Sequence, residues 1–105
     1  MTYRIVDAAS LEGRRKPIAR GLGAEAVKLN QFDSQPRQAG FEHDERESGQ
    51  EEVYIPLRGS GVLRVEGEEV RLEPGRYVLV EPDATRQVVA GPEGLSYAVV
   101  GAVPA

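Results

Sequence analysis

The sequence predicts an all-β fold, a jelly-roll-like barrel of about eight strands that follows an irregular N-terminal segment. From Ala26 onward, short runs of β-branched and aromatic residues alternate with Gly, Pro and Asp at a spacing of about 8–12 residues, which is typical of antiparallel barrels and sandwiches. No segment has the length and the 3.6-residue period of an amphipathic helix. Glu66-Gly67 lies between two alternating runs, a pattern typical of a tight hairpin.

Eight segments are candidate strands, and the chain before them is irregular. Residues 1–24 are rich in Gly, Arg and Pro and predict a lead-in segment that lies along a barrel formed by residues 26–102. The candidate strands are VKLNQF, QAGFEH, EEVYIPLR, GVLRVEG, EEVRLE, RYVLVEP, RQVVA and LSYAVVGAV. Pro82 lacks an amide donor and is expected to end the strand before it. Residues 1–105 are predicted to form one domain.

Charge and composition argue against several classes of partner. The chain carries a net charge of −4, whereas nucleic-acid recognition depends on a basic surface. Arg14, Arg15 and Lys16 form the only basic cluster, which favours a solvated turn over a phosphate-binding or membrane-binding role. No apolar run reaches the roughly 20 residues that cross a bilayer, and the start, MTYRIVDAAS, lacks the apolar core of a signal peptide. We expect a cytoplasmic protein that binds neither nucleic acid nor membranes.

The residue types also limit the chemistry. The chain has no Cys, and His43 is its only histidine, so disulfides, thiolate sites and a nucleophile–base triad find no support. The stretch from Gly40 to Gly59 combines this histidine with six carboxylates directly ahead of an apolar run. Such a cluster indicates either the rim of a ligand or metal site or a solvated loop.

The chain from about Ala26 to Ala102 resembles the cupin superfamily, whose small domains fold as a double-stranded β-helix. The family's first motif begins with Gly, carries two His one residue apart and a Glu, and closes with Gly. Gly40, His43, Glu52 and Gly59 match this pattern.

The second cupin motif runs from a Pro-Gly or Gly-Asp turn through a strand to a Pro-containing loop and a His. Pro74-Gly75, residues 77–80 and Pro82 match that outline. Two family ligands are replaced, because the second His of the first motif falls on Glu45 and the His of the second motif falls on Arg86. The stretch between Glu45 and Glu52 is also longer than the family norm. The resemblance therefore implies a degenerate metal site.

Three side chains could still hold a divalent metal. His43 and Glu45 stand at i and i+2 of an extended segment and project to one face, where Glu52 could meet them from a neighbouring strand. Arg86 has no acceptor atom and would repel a cation at the fourth corner. We therefore expect no resident cofactor, with a divalent metal as the alternative. Arg86 could pair with an inward carboxylate, grip an anionic ligand, or take no part.

The proposed site requires one face of the segment EEVYIPLR to point into the barrel. Val53, Ile55 and Leu57 alternate with Glu52 and Tyr54, so the two sets face opposite sides of a strand. The cupin resemblance requires Glu52 and Tyr54 to face the barrel interior. The apolar set must then be covered by the N-terminal segment or by a second subunit, and we predict a homodimer through this face.

The favoured function is a binding module that takes a small organic ligand at the barrel mouth. Its predicted ligand-binding residues are His43, Glu45, Glu52, Tyr54 and Arg86, with residues 44–51 as an acidic lip. Tyr77 and Tyr97 are further candidates for the cavity wall, or core aromatics.

Two alternatives stay open, and the sequence assigns no catalytic residue. One is a cupin enzyme, either a metal-dependent dioxygenase or isomerase or a metal-free epimerase-like enzyme. The metal-free version would use His43 or Glu52 as a base and Tyr54 or Arg86 to stabilise an oxyanion. The other is a structural homodimeric protein whose barrel is filled by its own side chains. The fold does not choose among these functions.

Overall fold

The computed structural model describes residues 2–105 and confirms an all-β barrel of the jelly-roll type. These residues form six strands, a 3-10 turn at Ala8–Ser10 and one short helix, α1, at Ile18–Leu22. The strands are β1 Arg15–Lys16, β2 Lys28–Ser34, β3 Glu51–Val65, β4 Glu68–Leu72, β5 Val78–Val80 and β6 Arg86–Ala102. Neither helical segment in residues 2–105 is long and apolar enough to cross a membrane.

Two long antiparallel strands, β3 and β6, run through the whole barrel. They pair from Glu51 opposite Ala102 to Val65 opposite Arg86. The sheet order is β1-β2-β6-β3-β4, and β5 pairs with the first part of β3. Because the first part of β3 pairs with β5 and its last part with β4, this one strand contributes to both halves of the barrel.

The strand number is six rather than about eight, partly because predicted neighbours are continuous. EEVYIPLR and GVLRVEG both belong to β3, and RQVVA and LSYAVVGAV both belong to β6. The register of β3 shifts between Pro56 and Arg58 and again between Gly59 and Gly61. Gly59 has a φ of 81°, and a Cβ there would overlap the carbonyl oxygen of Gly94 in β6. Glycine therefore lets the two strands bend together while their pairing continues on both sides.

The segment QAGFEH, expected to be a strand, makes isolated bridges to β6 instead. Ala39 pairs with Val89, and His43 pairs with Arg86. Phe41, between the two bridges, is 88% exposed. The segment thus follows β6 as an extended loop and is fixed at both ends, which is sufficient to hold His43 beside the start of β6.

The hydrophobic core joins β3, β4, β5 and β6. Leu63 and Leu72, which lie on β3 and β4, are fully buried at its centre. Burying each such side chain stabilises the fold by about 1.5–3 kcal/mol. The buried cluster consists of Tyr54, Leu63, Leu72, Val80, Val88, Ala90, Leu95, Tyr97 and Val99.

The predicted lead-in segment, residues 1–24, contains two short regular elements within an otherwise irregular course, and residue 1 lies outside the described residues. β1 pairs with β2, with Arg15 opposite Phe32, and so adds an edge strand to the sheet ahead of residue 26. Helix α1 follows and ends at Gly23, whose φ of 71° is the left-handed conformation common at helix ends. A two-residue strand and a five-residue helix are too short to produce a recognisable period in the sequence.

The predicted hairpin is confirmed between β3 and β4. Val65 pairs with Glu68 across Glu66-Gly67, and both turn residues have positive φ, 48° and 83°. This combination is typical of the type I′ turn, whose twist matches that of the flanking strands.

Candidate functional site

A cavity of about 420 Å³ opens between β2, the loop of residues 40–50 and the inner faces of β3 and β6. Four of the five predicted ligand-binding residues line it, and Arg86 lies behind its wall. The four lining residues are His43, Glu45, Glu52 and Tyr54. The structure thus brings these four side chains to one cavity, with Arg86 against Glu52, and their role in ligand binding stays a prediction.

Alternation along β3 brings two of these side chains into the barrel. Glu52 and Tyr54 are 8% and 3% exposed, whereas Val53 and Ile55 between and after them are only half-buried. Glu52 and Tyr54 therefore face inward, as the cupin resemblance requires, and the apolar set faces out.

His43 reaches the same place through backbone pairing with Arg86. The His43 amide donates to the Arg86 carbonyl at 2.9 Å, and the Arg86 amide donates back at 2.8 Å. The His43 Nδ1 atom lies 3.0 Å from Glu45 Oε2 and 3.3 Å from the carbonyl oxygen of Asp44. Since both neighbours are acceptors, Nδ1 carries the proton, and in the neutral ring Nε2 keeps a free lone pair for a ligand.

Glu45 is held at the base of the acidic loop by two contacts. Besides its pairing with His43, its Oε1 atom accepts a hydrogen bond from Ser48 Oγ at 2.7 Å. The loop closes on itself further along, where the Gly49 amide donates to the Glu45 carbonyl at 2.8 Å. The lip predicted for residues 44–51 is thus tied at its start to the site.

Arg86 is fully buried and forms the centre of a hydrogen-bond network. Its Nη2 atom donates to Glu52 Oε1 at 2.9 Å and its Nε atom to the Tyr54 hydroxyl at 3.3 Å, while Nη1 donates to the carbonyl oxygens of Ala84 and Glu81. Burial alone would lower the pKa of Arg86, but the hydrogen bonds and charges of Tyr54 and Glu52 raise it above its ordinary value. Of the three roles considered for Arg86, the geometry matches the pairing with an inward carboxylate.

Tyr54 links this ion pair to the cavity. Its hydroxyl donates to Glu52 Oε1 at 3.2 Å and accepts from Arg86 Nε. Burial raises the pKa of Tyr54, the Glu52 carboxylate raises it further, and Arg86 acts in the opposite direction with a smaller effect. Tyr54 therefore stays a neutral hydrogen-bonding group at any working pH.

The cluster of His43, Glu45 and Glu52 could hold a metal ion. One ligand atom from each residue lies within 4.8 Å of the others, which suits a divalent cation in number and spacing. Glu52 Oε1 already accepts two hydrogen bonds, from Tyr54 and Arg86, whereas Oε2 accepts one from Gln50 Nε2 at 3.1 Å and keeps a second lone pair for a metal. The adjacent guanidinium of Arg86 opposes a second positive charge, so the donor set fits a metal while its electrostatic surroundings weaken the binding.

An aromatic wall extends from Tyr54 across the cavity. The Tyr54 and Tyr97 rings lie 6.3 Å apart, and Phe32 stacks on Tyr97 at 5.1 Å. Burial raises the pKa of Tyr97 to about 12, against the opposing charge of Arg14. Tyr77, a sequence-based candidate for this wall, lies directly before β5 and is instead 69% exposed.

Sequence reasoning missed several residues of the cavity, among them one aromatic ring and one cation. Phe32, on β2, lines the wall, and Arg14, directly before β1, reaches over its ring at 5.4 Å. Arg14 was expected in a solvated turn because it belongs to a cluster of three basic residues. The adjacent strand β1 has only two residues and therefore shows no alternation that would indicate an inward-facing position. No local signal identified Phe32 as inward-facing, because the two apolar residues of β2, Leu29 and Phe32, are three residues apart and face opposite sides of the strand.

No family model matches this chain. Over 47 residues the chain is 38% identical to the dimethylsulfoniopropionate lyase DddW of Ruegeria pomeroyi. The aligned segment covers 45% of this chain and 31% of the lyase, so the match spans about a third of that enzyme.

Comparison with solved structures identifies many neighbours of the same architecture. A cupin protein from Bacteroides fragilis superposes with a TM-score of 0.85 over 98% of this chain and 86% of its own, at 20% identity. A sugar phosphate isomerase of the cupin superfamily from Silicibacter pomeroyi superposes with a TM-score of 0.77 over 95% of this chain and 76% of its own, at 21% identity. At these identities the likeness establishes the fold, and the chain therefore has the double-stranded β-helix of the cupin superfamily.

Proposed function

We propose that this chain binds a small organic ligand in the cavity bounded by His43, Glu45, Glu52 and Tyr54. The observation that carries the proposal is a cavity of about 420 Å³ that polar side chains enter from one side and aromatic rings from the other. Pockets for small molecules in proteins commonly have volumes of about 300–1,000 Å³ and a few placed polar groups on a largely apolar wall. A barrel filled by its own side chains would leave no such space.

Arg86 supports this site from behind and does not contact the ligand. Its guanidinium donates a hydrogen bond to the Glu52 carboxylate at 2.9 Å and supplies the opposite charge that a buried carboxylate needs. Glu52 then presents a hydrogen-bond acceptor to the cavity. The ligand group nearest to Glu52 and Glu45 is accordingly a donor or a cation.

A metal-dependent enzyme is the second candidate. The donor cluster of His43, Glu45 and Glu52 favours it, and so does the partial match to a lyase that acts on dimethylsulfoniopropionate. A bound divalent ion would supply Lewis-acid chemistry at that cluster. This chain's own groups would hold the ion through those three residues and present the neutral Tyr54 hydroxyl beside it. The test of this candidate is cleavage of dimethylsulfoniopropionate by protein loaded with divalent metal.

A homodimer through the outer face of β3 is part of the proposal. The N-terminal segment leaves this face open, since Leu57 and Leu79 are 47% and 52% exposed. The half-buried Val53 lies opposite Leu79 in the register of β3 and β5, so Leu79 adjoins the outward-facing side of β3. A second copy of the chain would remove this surface from water.

A thermal-shift screen with small acids, sugars, amines and divalent cations tests the binding function. A ligand at 100 times its dissociation constant should stabilise the protein by about 2.7 kcal/mol. The matched variant is Gly40→Leu: a Cβ at Gly40 lies 3.4 Å from Arg14 Nη2 and 3.6 Å from the Val88 carbonyl, in ordinary contact, so a larger side chain extends into the cavity without backbone strain.

The expected result is a shift for the unmodified protein that Gly40→Leu abolishes while its own melting temperature stays close to the original. A shift that survives in Gly40→Leu would place the ligand elsewhere and contradict the proposal. Elemental analysis of the purified protein separates the two candidates, because near-stoichiometric metal would favour the enzyme.

A further inference from the structure

One cationic side chain in the cavity has a buried nitrogen without a partner. Arg14 Nη1 is shielded from solvent and forms no hydrogen bond to any described residue. Buried polar atoms are nearly always hydrogen-bonded, because an unpaired buried donor costs free energy. Among residues 2–105 it is the one buried side-chain nitrogen or oxygen left unsatisfied.

The position of Arg14 is fixed by its backbone and by the ring beneath it. Its carbonyl oxygen accepts from the Asp33 amide at 2.9 Å, which anchors the residue to β2. Its guanidinium carbon lies 5.4 Å from the centre of the Phe32 ring, which stabilises the cation without satisfying Nη1. Gly40 lies on the other side of the guanidinium and has no side chain to fill the space there; a Cβ at this position would lie 3.4 Å from Arg14 Nη2. The guanidinium is thus placed in the cavity with a free donor.

The charges that line the cavity are unevenly distributed. Arg14 and the exposed Arg15 lie at one end of the aromatic wall, beside Phe32, whereas Lys28 lies in the same row of the sheet as Glu52, across Gly101. The carboxylates of Glu45 and Glu52 lie beyond the other end, next to Tyr54. No acidic side chain within residues 2–105 forms an ion pair with Arg14.

We infer that Arg14 binds an oxyanion, the carboxylate or phosphate group of the ligand, and so defines the class of molecule that the cavity accepts. The inference rests on the proposed binding function and deepens it. Guanidinium groups bind carboxylate and phosphate through paired N–H donors, and Arg14 lines the cavity with its Nη1 atom unpaired. The acidic end disfavours a second anion, so the remainder of the ligand is neutral or cationic and packs on the rings of Phe32, Tyr97 and Tyr54.

The test compares propionate with propionamide, which has nearly the same shape but no charge, and adds phosphate as a second oxyanion. Binding of sodium propionate, propionamide and inorganic phosphate is measured by thermal shift and titration calorimetry at constant ionic strength, with sodium chloride as the blank. The variants are Arg14→Met, which removes the guanidinium, and Arg14→Lys, which keeps the charge but loses the paired donors. Arg20→Met is the matched control, because Arg20 is an exposed cation on α1 outside the cavity.

The expected result is that propionate or phosphate binds more tightly than propionamide. Arg14→Met should weaken binding of the anion by about tenfold or more, and Arg14→Lys should weaken it less. Arg20→Met should leave the affinity for the anion unchanged. Preference for propionate over phosphate, or the reverse, identifies which oxyanion the site takes. A purely structural role would instead appear as a large loss of melting temperature in ligand-free Arg14→Met.

Two results would overturn the inference. If propionamide binds as tightly as both anions, or if Arg14→Met binds anions as the unmodified protein does, Arg14 is not the anion site although the cavity still binds ligands. If none of these probes and no compound of the wider screen binds, the proposed function itself fails. Should Arg14→Met not fold, the comparison of probes on the unmodified protein and on Arg14→Lys decides.

Discussion

Arg86 and Glu52 form an ion pair inside the barrel, with 2.9 Å between Nη2 and Oε1 and with the arginine side chain wholly removed from solvent. The pair joins the first residues of the two long strands, since Glu52 lies near the start of β3 and Arg86 begins β6. Removing one partner of such a pair leaves an uncompensated charge in a region of low polarity.

The first prediction concerns the stability of this pair. Arg86→Met should lower the free energy of unfolding by about 3–5 kcal/mol, because Glu52 then lacks its cation. The double variant Arg86→Met, Glu52→Gln should lose clearly less than the sum of the two single losses. Urea denaturation measures all three. Arg64→Met, which breaks the exposed pair with Glu69, is the control and should have little effect; additive losses at residues 52 and 86 would contradict the prediction.

The second prediction concerns metal affinity. Arg86→His should bind Zn²⁺ or Ni²⁺ about tenfold more tightly or better, because it removes the opposing charge and supplies an imidazole beside the existing donors. Titration calorimetry on metal-stripped protein measures the change. Arg86→Gln separates the two causes, since it removes the charge but adds no imidazole. Equal affinities in Arg86→His and the unmodified protein would show that residue 86 does not face the donor cluster.

The third prediction concerns the bend of β3. Gly59→Ala should destabilise the fold by about 3 kcal/mol or more, because a Cβ overlaps the Gly94 carbonyl and the left-handed backbone adds strain. Gly67→Ala is a matched control, with a φ of 83° and no atom within 4 Å of the added Cβ. It should cost only the backbone strain, about 1–2 kcal/mol. Equal urea midpoints for the two variants would contradict the close approach of β3 and β6.

The fourth prediction concerns alkaline pH. The folded protein holds the Tyr97 proton up to about pH 12, whereas the unfolded chain loses it near the ordinary value of 10.0. The unfolded state therefore binds fewer protons in this window, and stability is complete below pH 10 and falls as the pH rises toward 12. Urea midpoints across this range test it. Tyr97→Phe should flatten the decline, although Tyr54, whose pKa is also raised, keeps part of it.

The fifth prediction concerns the outer face of β3. Leu57→Lys together with Leu79→Lys should convert a dimer to a monomer in sedimentation equilibrium, because two charges enter an apolar contact. Ile5→Lys, at an exposed apolar residue of the N-terminal segment, should leave the assembly unchanged. A monomeric unmodified protein would rule out the dimer.

The strands of this fold were predictable wherever a local signal marks them. Glu66-Gly67 identified the hairpin, and the alternation after Glu52 separated an inner from an outer face. The bend at Gly59 was hidden, because a glycine that ends a strand and one that bends a continuous strand look alike in sequence. Only the approach of the Gly94 carbonyl, which is distant along the chain, distinguishes them.

The site was predictable to the extent that the cupin motifs locate it. They brought His43, Glu45 and Glu52 together and indicated the unusual Arg86, whose pairing was one of three roles considered. Its complete burial could not be read from the sequence, because arginine after a turn is usually exposed. Arg14 had no local pattern at all, and its role depends on the pairing of β1 with β2.

The way Arg14 enters the cavity separates recognition from folding. The hydrophobic core is formed by β3 to β6, whereas Arg14 directly precedes β1, the edge strand of the sheet. Replacing this edge segment should therefore change the class of small molecule that binds and leave the core intact. Natural variation and protein engineering could alter ligand selectivity through the same few residues.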